Sequence, residues 1–382
     1  MNMKYLAALS TTVGTIVGGG ILALPYAIEK SGFFEGISLL VLVGFASILI
    51  TMYTGELSSH FKKLHQLPVI ISKYTGKRLR VLILIFQVLT IYGAQIAYLT
   101  GIALVMVFLF HLSYAISVLL VFLLTLPLIY KGYKLVEDAE TPLLFIKIAL
   151  IVAAALSVLT IVKDANFYSY NITNLFGPFG IILFSFTGYT VIPEVKEELG
   201  GIKKLTSVIV ISYIISILLY VFFSFAFVGA FGHSVSTVAT DGIHSVYYEL
   251  LFSLTTLFLL LTPYIALSLV LADSFTYDFG IGRKPSMFLS LAAPFAIAFF
   301  DFNFESILDV TGGIFISLLA MLILFAVFIE RRRKGKKRIK YLVPGGIYLI
   351  VFTFAVMLLG LAYDHLPSGI SSQFIAIFTY IL

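Results

Sequence analysis

The chain has 382 residues, of which 60% are hydrophobic and only 12% charged, with a mean hydropathy of +1.07 and a formal net charge of +6. Soluble globular domains carry about twice this charged fraction, so the composition excludes a soluble protein and predicts an all-α polytopic membrane protein. There is no cysteine and the six histidines are scattered, which leaves no disulfide framework and no metal-ligand spacing.

Eleven apolar segments follow one another along the chain. Each is close to the roughly 20 residues that cross a bilayer as a helix, so we predict a transmembrane helix in each. They cover residues 5–28, 33–58, 81–110, 114–130, 141–162, 175–194, 205–231, 246–272, 286–300, 306–329 and 341–362. The first segment lacks a charged start followed by a small-residue cleavage site, so we expect it to remain in the mature protein.

Two of these segments contain clusters of helix-breaking residues. Residues 14–25 in the first segment read GTIVGGGILALP, and residues 177–193 in the sixth read GPFGIILFSFTGYTVIP. Hydrocarbon offers no water to satisfy free amide and carbonyl groups, so such stretches survive at membrane depth where they line a protein cavity or contact a ligand. We therefore predict that helices 1 and 6 are broken at the midplane and form a binding site.

The two breaks lie five helices apart, and an odd number of helices inserts the two halves of the chain with opposite orientation. This pattern predicts an inverted repeat of five plus five helices and one further helix. The repeats would span residues 1–162 and 163–329, and residues 330–382 would hold a basic cytoplasmic loop, the eleventh helix and a short outer tail. The alternative is that glycine and proline are simply common in membrane helices.

The basic residues predict the orientation of the chain. With the N-terminus in the cytoplasm, 22 of the 25 lysines and arginines lie on the inner side, as the positive-inside rule requires. Lys30 and Lys163 remain outside, and Lys147 lies within a span. We expect an integral protein of the plasma membrane with its C-terminus outside. The run RRRKGKKR at 331–338 is interpreted as a topology anchor touching anionic lipid, and no nucleic-acid partner is expected.

Two motifs carry a family resemblance. Residues 18–27, GGGILALPYA, resemble the first-helix signature G-x-G-I-L-x-L-P-Y-A of the amino acid/auxin permease family, a branch of the amino acid, polyamine and organocation transporter superfamily. Residues 184–189, FSFTGY, resemble the unwound segment of that superfamily's sixth helix. The resemblance implies a LeuT-like fold, with its five-plus-five inverted repeat, and amino acid transport by alternating access.

The resemblance also implies a substrate site at the two breaks. Amides of Gly18, Gly19 and Gly20 would receive the substrate carboxylate, as a half-helix N-terminus can. Carbonyls around the sixth-helix break would accept the substrate ammonium, and the Phe184 ring matches the superfamily's gating aromatic. Tyr92 and Gln95, which are polar residues at helical spacing in the third helix, are also expected to face the cavity. For Tyr98 in the same helix, a role in the cavity is no better supported than simple packing. The full predicted set is Val17, Gly18, Gly19, Gly20, Ile21, Phe184, Ser185, Phe186, Thr187, Gly188, Tyr92 and Gln95.

Lys147 is a cation inside the fifth span, in TPLLFIKIALIVAAA. A charge there is costly without a partner or a task, although a lysine near a helix end can also snorkel toward the interface. In proton-coupled and ion-independent members of the superfamily, a lysine at the matching place occupies the site where sodium-coupled members hold their ion. We expect Lys147 to lose and regain a proton beside carbonyls of residues 15–18 and the Thr262 hydroxyl.

Thr262 leaves a sodium site open as an alternative, because it resembles a hydroxyl ligand of sodium-coupled members. A lysine beside it would repel the ion by several kcal/mol or more at close range and low dielectric, so we favour protons. Three more residues complete the predicted coupling set: Thr15, Glu56 and Glu194. The two glutamates lie near the inner ends of the second and sixth helices, where pairing with a base or membership of a loop also explains them.

These observations predict a secondary active transporter that moves neutral amino acids by alternating access, most simply as a proton symporter. No acidic residue lies mid-span to meet a cationic substrate side chain, and no cofactor is expected. The alternatives are a sodium-coupled amino acid symporter and an amino-acid-sensing, transporter-like receptor. We expect no enzyme, because the sequence has no embedded nucleophile with its base, no metal cluster and no phosphate-binding loop.

Overall fold

A computed structural model describes residues 3–131, 133–168, 171, 174–240, 246–300, 303–334 and 343–365. This part of the chain is helical throughout, without strands, as predicted. Most of the predicted basic loop and the predicted outer tail lie outside the described residues.

The helices follow the predicted apolar segments closely, and one short helix, α4, was not predicted. They are α1 Met3–Ile16, α2 Gly20–Ser31, α3 Phe33–Ser58, α4 Leu67–Thr75, α5 Leu79–Phe110, α6 Tyr114–Lys131, α7 Tyr133–Val158, α8 Phe179–Ser185, α9 Ile192–Glu198, α10 Leu205–Phe231, α11 Val246–Asp273, α12 Arg283–Ala298, α13 Phe304–Val310, α14 Ser317–Lys334 and α15 Gly346–His365.

The predicted count of eleven spans is not confirmed. Among the described residues, seven helical stretches are long and apolar enough to cross a membrane, or eight if α1 and α2 form one bent span. The shortfall has a physical cause, because three predicted spans are short or interrupted. The apolar stretch of α6 covers only Tyr114–Pro127, α12 has 16 residues, and the sixth segment is divided into α8 and α9 of seven residues each.

Both predicted helix breaks are observed. The first segment bends by 48° between the end of α1 and the start of α2. Pro25 lies inside α2 without ending it, so the glycine cluster marks the break. In the sixth segment α8 ends at Ser185, a short 3₁₀ turn covers Tyr189–Val191, and α9 begins at Ile192 with Pro193 in its first turn, a position where a missing amide costs no helical bond.

The helices pack so that the two breaks come together in the interior. α2 packs against α8, while α1 packs against α7 and α10, and α5 packs along α11. A π-helical turn, Thr311–Ile316, joins α13 to α14 and packs against α8. Gly312 permits this contact, because a Cβ there would overlap the Gly180 carbonyl. Large exposed hydrophobic side chains, among them Leu124 and Leu218, cover the outer surface, as expected for helices facing lipid.

Candidate substrate and coupling site

The two helix breaks touch each other directly. A Cβ placed on Gly20, the first residue of α2, would lie 2.8 Å from the Ser185 Cα and closer still to its side-chain oxygen. Gly188, in the second break, would meet Ile16 Cγ1 at 2.7 Å in the same way. Gly20 therefore allows the backbones of the two breaks to approach each other, and Gly188 leaves room for the Ile16 side chain.

The amides of the first break divide into bonded and unbonded groups. Val17 N donates to Val13 O at 2.7 Å and Gly18 N donates to Ile16 O at 2.9 Å. In the described part of the chain, the amides of Gly19 and Gly20 have no acceptor. The predicted set of three free amides is thus reduced to two, because a turn at Ile16 uses the amide of Gly18.

A cavity opens beside this break, and α5 provides one wall. Its volume is about 20 Å³, which is close to the space that one water molecule needs. The rings of Tyr98 and Phe184 meet edge to face at 6.1 Å beside it. The lining residues are Thr15, Ile16, Gly20, Thr90, Ile91, Ala94, Tyr98, Phe184, Ser185, Thr187, Thr190, Leu267 and Ile316.

The structure does not bring Tyr92 and Gln95 to this cavity. The Tyr92 hydroxyl donates to the Leu289 carbonyl of α12, and Gln95 Nε2 donates to Ser268 Oγ of α11 at 2.7 Å. The cavity-facing row of α5 is instead the one that carries Tyr98, which sequence reasoning assigned to packing. Thr90, Ala94 and Tyr98 recur every four residues, and this spacing was the available signal.

The carbonyls of the second break are bonded to tyrosines that the sequence analysis missed. The Tyr220 hydroxyl of α10 lies 2.7 Å from Ser185 O and 2.6 Å from Ile16 O, so it joins both breaks. Tyr213, two turns earlier, donates to Phe186 O at 2.9 Å and contacts Thr51 Oγ1 at 2.6 Å. The expectation that these carbonyls are open to a ligand is therefore narrowed, because Ser185 O already accepts one bond and Phe186 O accepts a second bond from Gly188 N at 2.8 Å.

We expect Tyr220→Phe to reduce uptake about tenfold, because the bond that ties the two breaks together is lost, and to lower the free energy of unfolding by about 1–3 kcal/mol. Uptake rate and thermal unfolding of the purified protein measure the two effects. Tyr213→Phe is the matched control, since it bonds one break only and should cost similar stability with a smaller loss of uptake. Uptake of Tyr220→Phe equal to that of the native chain would show that the bridge has no role in transport.

Lys147 lies at the other side of the first break. Its side chain is 2% exposed, and its Nζ donates to Gly14 O at 3.0 Å and Val17 O at 3.4 Å. These are carbonyls released where α1 ends, so the side chain points into the bundle and does not snorkel. Thr262 Oγ1 donates to Phe258 O at 3.2 Å on its own helix. The adjacent Pro263 packs against Gly18, with a Cβ there 3.2 Å from Pro263 Cγ.

Glu56 is placed in a buried ion pair away from the cavity. Arg331, in the last turn of α14, donates from Nε to Oε1 at 2.8 Å and from Nη2 to Oε2 at 2.6 Å. The amide of Val343 adds a third bond at 2.9 Å. Glu56 therefore links α3 to α14 and to the start of the α15 segment, and its geometry suits structure better than coupling.

We expect Arg331→Met to lower the free energy of unfolding by about 3–5 kcal/mol, because it leaves the Glu56 carboxylate buried without its cation. The double variant Glu56→Gln with Arg331→Met should recover much of this loss. Arg332→Met, which removes an exposed charge, is the control and should change stability little. Thermal unfolding in one detergent compares all three, and equal losses in the single and double variants would contradict the account.

Glu194 and Thr15 occupy different surroundings from Glu56. Glu194 is buried and accepts a hydrogen bond from Gln66 Nε2, while its Oε2 has no partner among the described residues. Thr15 lines the cavity and donates to Thr11 O at 2.8 Å. Glu194 therefore lies inside the bundle near the second break, and Thr15 lies inside it near the first.

The unpredicted helix α4 is held between the ends of α3 and α14. α4 packs against α14, and the hydroxyl of its Tyr74 donates to Leu57 O of α3 at 3.4 Å. His60, just after α3, adds a contact to α14, with its Nδ1 3.1 Å from Glu330 Oε1. Burial, and next the neighbouring Glu330 carboxylate, raise the pKa of Tyr74 above its usual range. Tyr74 therefore keeps its proton at physiological pH and remains a hydrogen-bond donor.

Paired helix breaks beside an interior cavity, with seven or eight candidate spans among the described residues, are features of a polytopic membrane protein. Over residues 1–363 the chain matches the tryptophan/tyrosine permease family, and it belongs to that family. It is thus an integral membrane protein of an amino acid permease family, which supports a transporter and not an enzyme. A search of curated protein sequences finds no match.

The assignment to the amino acid/auxin permease family is therefore wrong. The ten-residue motif at 18–27 on which it rested encodes a glycine break followed by a half-helix with an internal proline. That geometry follows from the need to break a membrane helix, so the motif does not separate one permease family from another.

Proposed function

We propose that the protein carries tryptophan or tyrosine across the plasma membrane by alternating access, driven by protons. The observation that carries this proposal is the meeting of the two breaks at a cavity where the amides of Gly19 and Gly20 have no acceptor in the described part of the chain. Family membership supports the choice of aromatic amino acids over neutral amino acids in general.

The substrate carboxylate is assigned to the start of α2. Amides at a half-helix N-terminus carry partial positive charge and point at an anion. Tyr98 adds a hydroxyl at the same place, since its oxygen lies 3.5 Å from a Cβ position on Gly18. Val17 and Ile21 flank these amides and hold the break in the packed interior, where both are buried.

The substrate ammonium is assigned to the carbonyls of Ile16 and Ser185. A carbonyl oxygen has two lone pairs. Gly18 N occupies one lone pair of Ile16 O, and the Tyr220 hydroxyl supplies one proton for Ile16 O and Ser185 O together. Acceptor capacity therefore remains at both breaks. Phe186, Thr187 and Gly188 shape the second break around them.

The aromatic ring is assigned to the apolar part of the cavity. Ile91, Ala94, Leu267 and Ile316 line this part, and burial of an aromatic side chain against such residues is favourable. The narrow water-accessible space requires the Tyr98 and Phe184 rings to separate before a ring enters. Phe184 thus acts as the gate that its position beside the break suggests.

Lys147 is proposed to couple transport to protons. Its ammonium satisfies Gly14 O and Val17 O when charged, so loss of the proton would weaken the contact that fixes the end of α1. A sodium ion at the same carbonyls would be repelled by the nearby Lys147 ammonium. This repulsion favours protons over sodium as the coupling ion. Thr15 follows Gly14 in α1, and Thr262 precedes Pro263, which packs against Gly18. The buried Glu194 is a second candidate for the proton path.

The proposed arrangement has eleven crossings, with inverted repeats at residues 1–162 and 163–329, helices 1 and 6 broken near the midplane, and the N-terminus in the cytoplasm. The short elements α8, α9 and α12 would then cross in a locally thinned or protein-lined region, as broken helices of transporters do.

Uptake into proteoliposomes tests the proposal. Labelled tryptophan, tyrosine and leucine are offered under an imposed proton gradient or an imposed sodium gradient. We expect aromatic uptake driven by protons and little leucine uptake. Sodium-driven uptake would overturn the coupling assignment, and binding without flux would favour a receptor.

A further inference from the structure

The hydroxyl of Thr90 is unusual among the hydroxyls of the cavity. Thr90 is 3% exposed, it lines the cavity, and its Oγ1 has no hydrogen-bond partner in the described part of the chain. Ser185 and Thr187, in contrast, donate to the Ile181 and Phe184 carbonyls at 2.8 and 2.7 Å. A threonine in a helix commonly donates its hydroxyl to a backbone carbonyl of the preceding turn. The Thr90 hydroxyl makes no such bond, so it is available to a ligand.

The position of Thr90 identifies the part of a ligand that it would meet. Tyr98, whose ring packs against Gly19 beside the proposed carboxylate position, lies eight residues later on α5, which corresponds to roughly 12 Å of helix rise. Ile91 and Ala94 lie between them and line the cavity with apolar groups. A substrate with its carboxylate at the glycine break therefore directs its side chain toward Thr90.

We infer that the Thr90 hydroxyl accepts a hydrogen bond from the polar hydrogen of the substrate ring, the indole N–H of tryptophan or the phenol O–H of tyrosine. This inference rests on the proposed function, in which the cavity holds an aromatic amino acid. A hydroxyl can accept from either group. Thr90 is thus the residue that selects tryptophan and tyrosine over phenylalanine.

The physical basis is the cost of an unsatisfied polar group. Burying the ring N–H or O–H without a partner costs free energy, and phenylalanine would leave the Thr90 oxygen unsatisfied as it is now. Sites that hydrogen-bond a substrate group discriminate against analogues that lack it more strongly than apolar pockets do. Thr90 supplies that discrimination in a cavity whose other ring contacts are apolar.

The test measures how well unlabelled phenylalanine and tyrosine compete with labelled tryptophan in proteoliposomes. In the native chain we expect phenylalanine to be a weaker competitor than tryptophan, by at least about tenfold. Thr90→Val keeps the shape of the side chain but removes the hydroxyl, so most of this preference should disappear. Thr90→Ser keeps the hydroxyl and should retain it. Thr100→Val is the matched control on α5, because the Thr100 hydroxyl accepts a bond from Tyr114 at 3.3 Å.

Two results separate failure of this inference from failure of the proposed function. If Thr90→Val transports tryptophan with the native preference over phenylalanine, Thr90 has no role in ring recognition although the transporter assignment stands. If the native chain transports none of the three amino acids, the proposed function itself is wrong. Should Thr90→Val fail to fold, Thr90→Ala is judged by the same preference ratio.

Discussion

Lys147→Met is expected to abolish proton-driven uptake while leaving tryptophan binding measurable. The substitution keeps a long apolar side chain but removes the ammonium that bonds Gly14 O and Val17 O. Without the group that we propose to gain and lose a proton at the end of α1, an imposed pH gradient should no longer bias the first break. We expect the initial rate under a proton gradient to fall at least about a hundredfold, since the role of Lys147 as the coupling charge is lost entirely.

The control is Lys163→Met, which removes an exposed charge outside the spans and should leave the rate within about twofold, as surface changes commonly do. Tryptophan binding, followed by its effect on thermal unfolding, separates loss of coupling from loss of fold. Retention of native proton-driven uptake in Lys147→Met would remove the lysine from the mechanism. Sodium-driven uptake in the variant would instead show that the cation position accepts a metal ion once the lysine charge is gone.

Gly20→Ala is expected to eliminate transport by forcing the two breaks apart. The new methyl group would lie 2.8 Å from the Ser185 Cα, which is backbone and cannot rotate away. Overpacking of this kind costs about 1–3 kcal/mol. It also displaces the Gly20 amide that we assign to the substrate carboxylate, so the loss of uptake should exceed the loss of stability.

Gly14→Ala is the matched control, because a Cβ at Gly14 meets nothing within 4 Å. Its carbonyl still accepts from Lys147, and alanine favours the helix at this position by about 1 kcal/mol. We expect native uptake or a slight gain in stability. The pair is measured as uptake per folded protein after size-exclusion chromatography, and equal activity of the two variants would contradict the close approach of the breaks.

Much of the fold follows from the conformational effects of single residues, which can be predicted directly from the sequence. The breaks at Gly18–Gly20 and after Ser185 were predictable because glycine and proline act on their own turn, whatever lies around them. A buried cation must find acceptors, and the resemblance implied carbonyls of residues 15–18 for Lys147; the structure shows Val17 O and, one residue before that range, Gly14 O. In each case one residue type determines its own surroundings.

The remaining site depended on which helix faces which. Tyr92 and Gln95 looked suitable as polar residues, but their rows of α5 face α12 and α11, and only the packed arrangement reveals this. Tyr213 and Tyr220 reach the breaks from α10, more than 25 residues away in sequence from Phe186 and Ser185. The partner of Glu56 is more distant still, because Arg331 comes from the end of α14.

Substrate protection of a single cysteine tests whether the substrate occupies the cavity between the two helix breaks. The native chain contains no cysteine, so Ala94→Cys places the sole thiol on the cavity wall, and Ser234→Cys places one at an exposed site as control. The rate of modification by a membrane-permeant thiol reagent is measured with and without tryptophan. We expect tryptophan to slow modification at position 94 and to leave the rate at position 234 unchanged. Tryptophan uptake without any protection at position 94 would place the substrate elsewhere and contradict the site.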